Sequence, residues 1–335
     1  MIKDNYSLRM LNTFGLNISA RNFFEANTEA ELLLFISESK LGNESCLILG
    51  EGSNILFTGD YNGLVIHPAL KGIEIVSEND QEVFVKAGSG ENWDEFVKYT
   101  VEKGWGGLEN LSYIPGSVGA CPVQNIGAYG VEIKDRIVNV EGINIAEKSR
   151  KTIFKEECKF AYRSSIFKQE LKNRFIITSV TCRLDKNPRF ELGYGIVKHE
   201  FLKRNHQNLL ALRQTIIDIR KSKLPDPKQY GNAGSFFKNP IISTALFEDL
   251  QQKFTDIPSY PMRDGSIKIP AAWLIEKAGL KGLREGHTGS FPAHSLVIVN
   301  YGGASGMEIL EFSIKIQETV RNIFGIELQR EVNVV

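Results

Sequence analysis

The chain has 335 residues, and its 40 basic and 40 acidic side chains give a net charge of zero. This length exceeds what one hydrophobic core usually serves, so we expect two or three domains. Hydrophobic residues at 42% and charged residues at 24% exclude a disordered or fibrous chain. The balanced charge also argues against a nucleic-acid partner that is held by a general positive field.

The sequence shows no evident membrane-spanning segment or secretory signal. Its apolar runs reach only about five residues, far fewer than the about 20 that a membrane-spanning helix needs. The start, Met1 to Tyr6, lacks the apolar core of a secretory signal. We therefore expect a cytoplasmic protein with no membrane partner.

The cysteines and histidines indicate no metal site. The histidines show no H-x-x-x-H spacing, and the cysteines form no C-x-x-C pair. The four cysteines, which we expect to be reduced thiols as is usual in the cytoplasm, are Cys46, Cys121, Cys158 and Cys182.

The first part of the chain mixes one helix with strands. Thr28 and Glu31 form a capping box ahead of the apolar run Leu32 to Ile36, which predicts a helix. Short apolar runs at residues 46–49 and 64–66 predict buried strands. From residue 73 the apolar pattern has a period of two, which predicts strands at 73–76 and 82–86.

The middle of the chain continues the mixture. Trp93, Phe96 and Val97 share one helical face, and Gly104 predicts the end of that helix. A long glycine-rich loop follows, and then strands are predicted near residues 137–145 and 175–184. The pattern is that of an α+β fold.

The two prolines in Lys223 to Pro227 predict a domain boundary, since proline interrupts regular structure. Beyond it, helices are predicted near residues 244–253, 271–278 and 307–324. The last has a capping box, Ser305 with Glu308, and a glycine stop at Gly325. The final strand, at residues 331–335, needs a sheet edge, and we expect it to return to an earlier domain.

Two glycine segments point to a ligand that carries phosphate. In the first, Gly50-Glu51-Gly52-Ser53-Asn54 follows a strand, and glycine permits the backbone nest that binds an anion. It matches neither the dinucleotide nor the P-loop pattern, and a tight turn without a ligand is an equal alternative. The second, residues 114–130 (the glycine loop), holds four glycines, two prolines and no charged side chain. It reads as a backbone cradle for a large ligand, with a buried structural loop as the alternative.

Three further side chains have ordinary explanations when each is taken alone. Arg163 could hold a carboxylate or form a surface ion pair, and Ser235 could donate a proton or cap a turn. Glu331 could serve a site or face solvent.

Taken together, these segments resemble the UDP-N-acetylenolpyruvoylglucosamine reductase family over nearly the whole chain. The shared motifs are Leu-Gly-x-Gly-Ser-Asn, the glycine loop, Tyr-Arg-x-Ser, Gly-Asn-Ala-Gly-Ser-Phe-Phe-Lys-Asn-Pro and a terminal Glu-Val. The resemblance implies a two-part FAD-binding module of the p-cresol methylhydroxylase/vanillyl-alcohol oxidase type and a C-terminal α+β substrate domain. The implied bounds are 1–70 with 325–335 and 71–216 for the module, and 224–324 for the substrate domain.

The resemblance also implies residue roles for a long, type I member. Residues expected to bind FAD are Gly50, Gly52, Ser53, Asn54, Pro115, Gly116, Gly119, Gln124, Asn125, Gly127 and Tyr129. The implied catalytic residues are Ser235, which protonates the substrate, and Arg163 and Glu331, which stabilise an enolate. Because a serine hydroxyl is a weak acid near neutral pH, we further expect a neighbour such as Lys223 to assist it. Residues expected to bind substrate are Tyr194, on a loop that closes as a lid, Lys223 and Asn239.

The implied reaction is the NADPH-dependent reduction of UDP-N-acetylglucosamine enolpyruvate by a monomeric flavoenzyme. His294 and Asn333 depart from the residues often found at those positions, which bears on substrate affinity rather than on the reaction. Two alternatives stay open: a related FAD oxidoreductase with another substrate, and a nucleotide-sugar-binding protein without catalysis.

Overall fold

The computed structural model describes residues 1–38 and 46–335. Its helices are α1 Glu29–Glu38, α2 Trp93–Glu102, α3 Val197–Leu202, α4 Leu209–Lys223, α5 Thr244–Lys253, α6 Ala271–Lys277 and α7 Gly306–Phe324. Its strands are β1 Lys3–Ser7, β2 Ser19–Ala26, β3 Cys46–Ile48, β4 Ile55–Leu56, β5 Tyr61–Pro68, β6 Ile73–Glu78, β7 Glu82–Gly88, β8 Gly127–Ala128, β9 Val131–Glu132, β10 Ile137–Asn144, β11 Ser149–Phe154, β12 Phe175–Asp185, β13 Gly231–Ser235, β14 Ile241–Ile242, β15 Tyr260–Pro261, β16 Ile267–Lys268, β17 Arg284–Glu285, β18 Thr288–Phe291, β19 His294–Asn300 and β20 Asn333–Val334.

The chain divides into two compact units. The first unit contains residues Met1–Tyr6, Ala20–Glu51 and Asn62–Arg220. The second contains Ser7–Ser19, Gly52–Tyr61 and Lys221–Val335. The last division falls three residues before Leu224, close to the boundary that the prolines predict.

The first unit is built on two larger sheets, besides the short pair of β8 with β9. A five-stranded antiparallel sheet has the order β11-β10-β12-β7-β6. Strand β12 lies at its centre and is buried along almost its whole length, as expected for a strand that is covered on both faces. Helix α2 packs its apolar face, including Trp93 and Phe96, into the same core as Val85 and Val180. The other sheet has the order β1-β2-β5-β3 and shares a core with α1 through Leu32 and Ile66.

The second unit has a four-stranded sheet with the order β13-β19-β18-β17. Its core joins Ile298 of β19, Ile275 of α6 and Ile309 of α7. Strand β20 pairs in parallel with β4, so the C-terminal strand does return to an early segment of the chain. This pairing puts residues 325–335 in the second unit, together with residues 52–61, whereas the sequence analysis grouped 325–335 with residues 1–70.

The local signals in the sequence are confirmed where they concern helix ends. Glu31 donates its N–H to the Thr28 hydroxyl at 3.1 Å, and its carboxylate accepts from the Thr28 N–H at 3.3 Å. Ser305 and Glu308 make the same reciprocal pair, and Gly325 ends α7 with a left-handed φ of 68°. Among the described helices, none combines the length and the apolar composition that crossing a membrane would require.

Helix α4 is the main element that the sequence analysis missed. Its buried residues Leu209, Leu212, Ile216 and Ile219 recur at helical spacing, which is the ordinary signal of an amphipathic helix. The helix also contains two arginines, Arg213 and Arg220, and Arg213 is buried among the apolar residues.

A buried carboxylate lies in the turn that follows α2. Glu109 is 3% exposed, and its Oε2 accepts the Gly107 N–H at 2.5 Å. Burial raises the pKa of Glu109, although the Gly107 hydrogen bond and the charge of Arg136 act in the opposite direction. A folded-state pKa above the unfolded one means that the folded chain binds the proton more tightly, so this group destabilises the fold as the pH rises.

We therefore expect Glu109→Gln to stabilise the protein more at about pH 8 than at about pH 5, because the amide removes the buried charge. Urea unfolding at the two pH values measures the difference. Glu102→Gln, at an exposed position of α2, removes an equal charge and is the control. A Glu109→Gln effect that does not change with pH would contradict the assignment of a raised pKa.

Candidate active site

The first glycine segment leaves strand β3 and turns sharply at Gly52. Gly52 has a φ of 65°, and a Cβ at this position would overlap the carbonyl oxygen of Leu11. A Cβ on Gly50 would lie 2.7 Å from the Ser117 hydroxyl oxygen, in the glycine loop. Gly52 is thus required by the packing of the protein itself, whereas a side chain at position 50 would require the Ser117 hydroxyl to turn away.

The backbone amides of this segment are available to a ligand. Within the described part of the chain, the N–H groups of residues 50–53 donate to no protein acceptor. Consecutive free amides around a left-handed glycine form an anion-binding nest. This donor set fits the diphosphate of FAD.

The glycine loop is packed against the first unit. Val118 donates its N–H to Glu91 O and Gly119 donates to Ser89 O, both at 2.8 Å. A Cβ on Gly119 would lie 2.6 Å from that of Ser89, so the close approach requires glycine. The loop is therefore held tightly by the protein, as a fixed cradle must be.

The start of the glycine loop is held by charged groups from two helices. Asp94 accepts from Tyr113 N at 2.5 Å, and it also binds Arg213 through two hydrogen bonds, of 2.6 and 2.9 Å. Arg220 donates its Nε to Tyr113 O at 3.0 Å. Arg213 and Arg220 are seven residues apart and so lie on the same face of α4. Sequence reasoning missed all three charged residues. The amphipathic pattern of α4 could have drawn attention to Arg213 and Arg220, whereas Asp94 lies on α2 and has no such signal.

Two residues expected to bind the cofactor have side chains that are engaged with the protein. Asn125 is fully buried, and its amide makes hydrogen bonds with Glu132, Ala161 and Lys134. The hydroxyl of Tyr129 is hydrogen-bonded with Arg220, while burial raises its pKa. The Asn125 side chain therefore braces the loop, and its N–H also stays within the loop by donating to Pro122 O at 3.3 Å.

Arg163 lies at the end of the glycine loop. It occupies a tight turn in which Ala161 and Ser164 exchange backbone hydrogen bonds, and its φ is 52°. Its Nη2 donates to Gly127 O at 2.8 Å. The structure thus brings together Arg163, predicted to be catalytic, and Gly127, predicted to bind the cofactor.

In the second unit, a β-bulge displaces Ser235. Strand β13 places three steps, from Asn232 to Ser235, opposite two steps of β19, and the extra residue is accommodated by Gly234 with a φ of 69°. Asn232 is buried, accepts from Gly234 N at 2.9 Å and donates to Tyr230 O at 2.8 Å. Bulges of this kind re-aim a side chain at a sheet edge, which explains the Gly-Asn-Ala-Gly-Ser sequence.

Glu331 is brought beside this bulge. Its N–H donates to Phe236 O at 2.8 Å, one residue after Ser235. Its carbonyl accepts from Asn54 Nδ2 at 3.3 Å, and Asn54 O in turn accepts from both nitrogens of Asn333 at 3.1 Å. Three predicted site residues of the second unit, Asn54, Ser235 and Glu331, are therefore linked through one short strand segment.

The residues predicted to bind substrate lie in different settings. Tyr194 is 55% exposed on the loop after Glu191. Lys223 is exposed at the end of α4, and Asn239 accepts the Ala271 N–H at 2.9 Å, which caps the start of α6. The side-chain oxygen of Asn239 thus has a structural role at the start of α6.

We expect Arg213→Met to lower the free energy of unfolding by about 3–5 kcal/mol, because it leaves the Asp94 carboxylate without its buried partner. Lys159→Met breaks the exposed pair of Lys159 with Glu170, whose side chains are 61% and 58% exposed, and is expected to cost at most about 1 kcal/mol. Denaturant unfolding measures both. Equal decreases in the free energy of unfolding for the two substitutions would contradict the stabilising role assigned to the Asp94–Arg213 pair.

Gly52→Ala and Gly15→Ala form a matched pair, since both glycines have left-handed φ values, of 65° and 67°. No atom lies within 4 Å of a Cβ on Gly15, so this substitution is expected to cost only about 1 kcal/mol of conformational strain. Gly52→Ala must also move the Leu11 backbone and is expected to cost more than about 3 kcal/mol, with loss of bound flavin. Unfolding curves and the ratio of flavin to protein measure both effects. Similar values for the two variants would contradict the packing argument.

Comparisons with known proteins identify the family of this chain. Residues 226–335 match the family model for the UDP-N-acetylenolpyruvoylglucosamine reductase C-terminal domain, and residues 20–147 match an FAD binding domain. The UDP-N-acetylenolpyruvoylglucosamine reductase of Flavobacterium johnsoniae is 48% identical over 337 residues, covering 100% of this chain and 99% of the relative. That of Bacteroides fragilis is 43% identical over 334 residues and covers 100% of both chains.

A solved structure gives the same result. The UDP-N-acetylenolpyruvylglucosamine reductase of Thermus caldophilus has a TM-score of 0.68 and 25% identity, with 100% of this chain and 98% of that one covered. The family resemblance and the predicted α+β fold with an FAD-binding module are confirmed. The chain belongs to the UDP-N-acetylenolpyruvoylglucosamine reductase family.

Proposed function

We propose that this protein is an FAD-containing oxidoreductase that uses NADPH to reduce UDP-N-acetylglucosamine enolpyruvate to UDP-N-acetylmuramate, a step of peptidoglycan precursor synthesis. The observation that carries the proposal is the similarity to reductases of this name along the full length of the chain, at up to 48% identity. It covers both the segment that matches an FAD binding domain and the C-terminal domain.

FAD, when bound, supplies the hydride transfer from NADPH to the methylene carbon of the enolpyruvyl group. The amides of residues 50–53 and the backbone of the glycine loop would hold it. Because the loop carries no charged side chain, the diphosphate would be bound by oriented N–H groups, which the packing of Gly50 and Gly119 keeps in place.

Arg163 is proposed to bind the carboxylate of the substrate. Its Nη2 hydrogen bond with Gly127 O orients the planar guanidinium, and such a group suits bidentate binding of a carboxylate. Hydride addition to the methylene carbon moves negative charge onto that carboxylate as an enolate. A cation already in position stabilises the charge as it develops.

Ser235 is proposed to donate a proton to the carbon next to the methylene, and Glu331 to help stabilise the enolate. The bulge at Gly234 sets the direction of Ser235, and the hydrogen bond from Glu331 N to Phe236 O keeps the two residues in register. A serine hydroxyl is a weak acid near neutral pH, so a cation such as Lys223 would have to assist it.

Tyr194, Lys223 and Asn239 are proposed to bind the UDP-sugar. The exposed ring of Tyr194 and the glycines at 193 and 195 fit a loop that closes over the nucleotide.

We also propose that the protein is monomeric and cytoplasmic and that it has no nucleic-acid or membrane partner. The proposed domain bounds are 1–70 with 325–335, 71–216 and 224–324. The net charge of zero supports the absence of a nucleic-acid partner.

Anaerobic absorption spectra test the function directly. NADPH is expected to bleach the flavin band, and the UDP-sugar is expected to restore it. No flavin band after reconstitution with FAD would overturn the proposal. A band that NADPH bleaches and the UDP-sugar does not restore would keep the flavoprotein and reject the substrate.

Ser235→Ala is expected to leave the bleaching by NADPH unchanged and to slow the return of the band by about 10²–10⁴-fold, the usual contribution of a general acid. Stopped-flow absorbance separates the two half-reactions. Ser243→Ala removes a serine that caps α5 in the same unit and is expected to alter stability without altering either half-reaction. A normal rate of return in Ser235→Ala would reject Ser235 as the proton donor.

A further inference from the structure

Asn110 is a buried polar residue to which neither the motifs nor the proposed mechanism gives a role. It lies in the short 3₁₀ turn Glu109–Leu111 and is 1% exposed, between two residues that are buried as well. The turn belongs to the core of the first unit through Leu108 and Leu111. The backbone of Asn110 is therefore held in place by the core of the first unit.

The amide nitrogen of Asn110 bridges two separate loops. It donates to Tyr129 O and to Glu191 O, both at 2.9 Å. Both partners are backbone carbonyls, which only accept, so the two amide protons are used and the orientation of the amide is determined. The Asn110 oxygen has no donor among the described residues. A buried acceptor left in this state is costly, so the residue is poorly explained as a simple filler of the core.

The first loop that Asn110 holds is a tight hairpin. Strands β8 and β9 are joined by Tyr129 and Gly130 alone, with φ values of 49° and 85°. Two left-handed residues in succession are the geometry of a type I′ turn. The left-handed conformation is unfavourable for tyrosine, and the hydrogen bond from Asn110 to Tyr129 O supports it.

The second loop is the one that carries Tyr194. Glu191 is its root, since the Glu191 carboxylate accepts the Gly193 N–H at 2.9 Å and its carbonyl is held by Asn110. The two loops touch, because a Cβ on Gly130 would lie 3.5 Å from Glu191 Cγ and 3.6 Å from Tyr194 Cβ. The rings of Tyr129 and Tyr194 meet edge to face, with their centroids 6.0 Å apart.

We propose that Asn110 is a positioning residue for substrate binding, which holds the Tyr129 turn and the root of the Tyr194 loop in one register. The loop beyond Glu191 can then move while its origin stays fixed relative to the Tyr129 ring. This inference rests on the proposed function, in which Tyr194 contacts the UDP-sugar.

A double-mutant cycle with Tyr194→Ala tests the proposal. Asn110→Ala is expected to raise KM for the UDP-sugar about tenfold in the wild-type background, which is the usual effect of losing a buried hydrogen bond. In the Tyr194→Ala background it is expected to raise KM less than about threefold, because residues that act through one another are not additive. Asn110→Asp keeps the size, loses the donors and is expected to behave like Asn110→Ala. Equal effects of Asn110→Ala in the two backgrounds would overturn the proposal.

Leu111→Ala is the matched control, since it weakens the same turn and leaves the Asn110 amide in place. It is expected to lower the melting temperature at least as much as Asn110→Ala with KM unchanged. A similar rise in KM for Leu111→Ala would show that general loosening of the turn is responsible and would overturn the proposal. Should Asn110→Ala fail to fold, Asn110→Ser, which retains one donor, enters the same cycle.

Hydrogen–deuterium exchange of the flavin-loaded enzyme separates this inference from the proposed function. The amides of residues 191–195 are expected to exchange faster in the Asn110 variant than in Leu111→Ala, in the absence of substrate. Unchanged exchange would overturn the positioning role even if the enzyme is active. An enzyme that does not turn over the UDP-sugar would instead reject the proposed function, and the exchange rates would still decide the role of Asn110.

Discussion

The glycine loop of the first unit begins at the peptide of Tyr113, whose N–H and C=O are both bound by half-buried charged groups. The N–H meets the Asp94 carboxylate and the C=O meets Arg220. Asp94 is itself neutralised by Arg213, which is only 7% exposed. A loop of 17 residues without charged side chains cannot form such contacts from within. The charges therefore come from α2 and α4, and the position of the loop depends on these two helices being correctly folded.

In the second unit, the segment around Ser235 is positioned by hydrogen bonds between uncharged groups. Ser235, the proposed proton donor, leaves the regular spacing of a strand because the bulge at Gly234 provides one extra residue. Asn232 replaces the hydrogen bonds that the bulge removes from the ladder, by accepting from Gly234 and donating to Tyr230. The Glu331 segment then pairs with the residues just beyond the bulge.

Much of the fold was predictable from local signals, and the site was predictable from motifs rather than from geometry. The capping boxes at Thr28 and Ser305 and the stop at Gly325 depend on neighbours within a few residues, so the sequence alone indicates them. The apolar residues of helix α4 also recur at helical spacing, so this helix was predictable from the sequence as well. By contrast, Asp94 meets Arg213 across 119 residues of sequence, and no local pattern distinguishes it from an ordinary charge in the first turn of a helix.

The strained backbone explains why motif and geometry coincide at this site. Eight residues other than glycine have positive φ in the described chain, and four of them lie along the cradle: Tyr113, Asn125, Tyr129 and Arg163. Each such conformation costs on the order of 1 kcal/mol or more. Each of the four also takes part in a buried or half-buried hydrogen bond. The Tyr113 N–H donates to Asp94 and Arg163 Nη2 donates to Gly127 O, whereas Tyr129 O accepts from Asn110 and the Asn125 side chain accepts from the Lys134 N–H.

The strain and the contacts that offset it have a common effect on function. Side chains on left-handed residues point where a regular strand or helix could not direct them, and the polar contacts keep them there before any ligand arrives. Preorganisation of this kind lowers the entropy that binding must otherwise remove. On this argument Asp94 and Asn110, which hold two of these turns, contribute to binding through the turns although they touch neither cofactor nor substrate in the proposed mechanism.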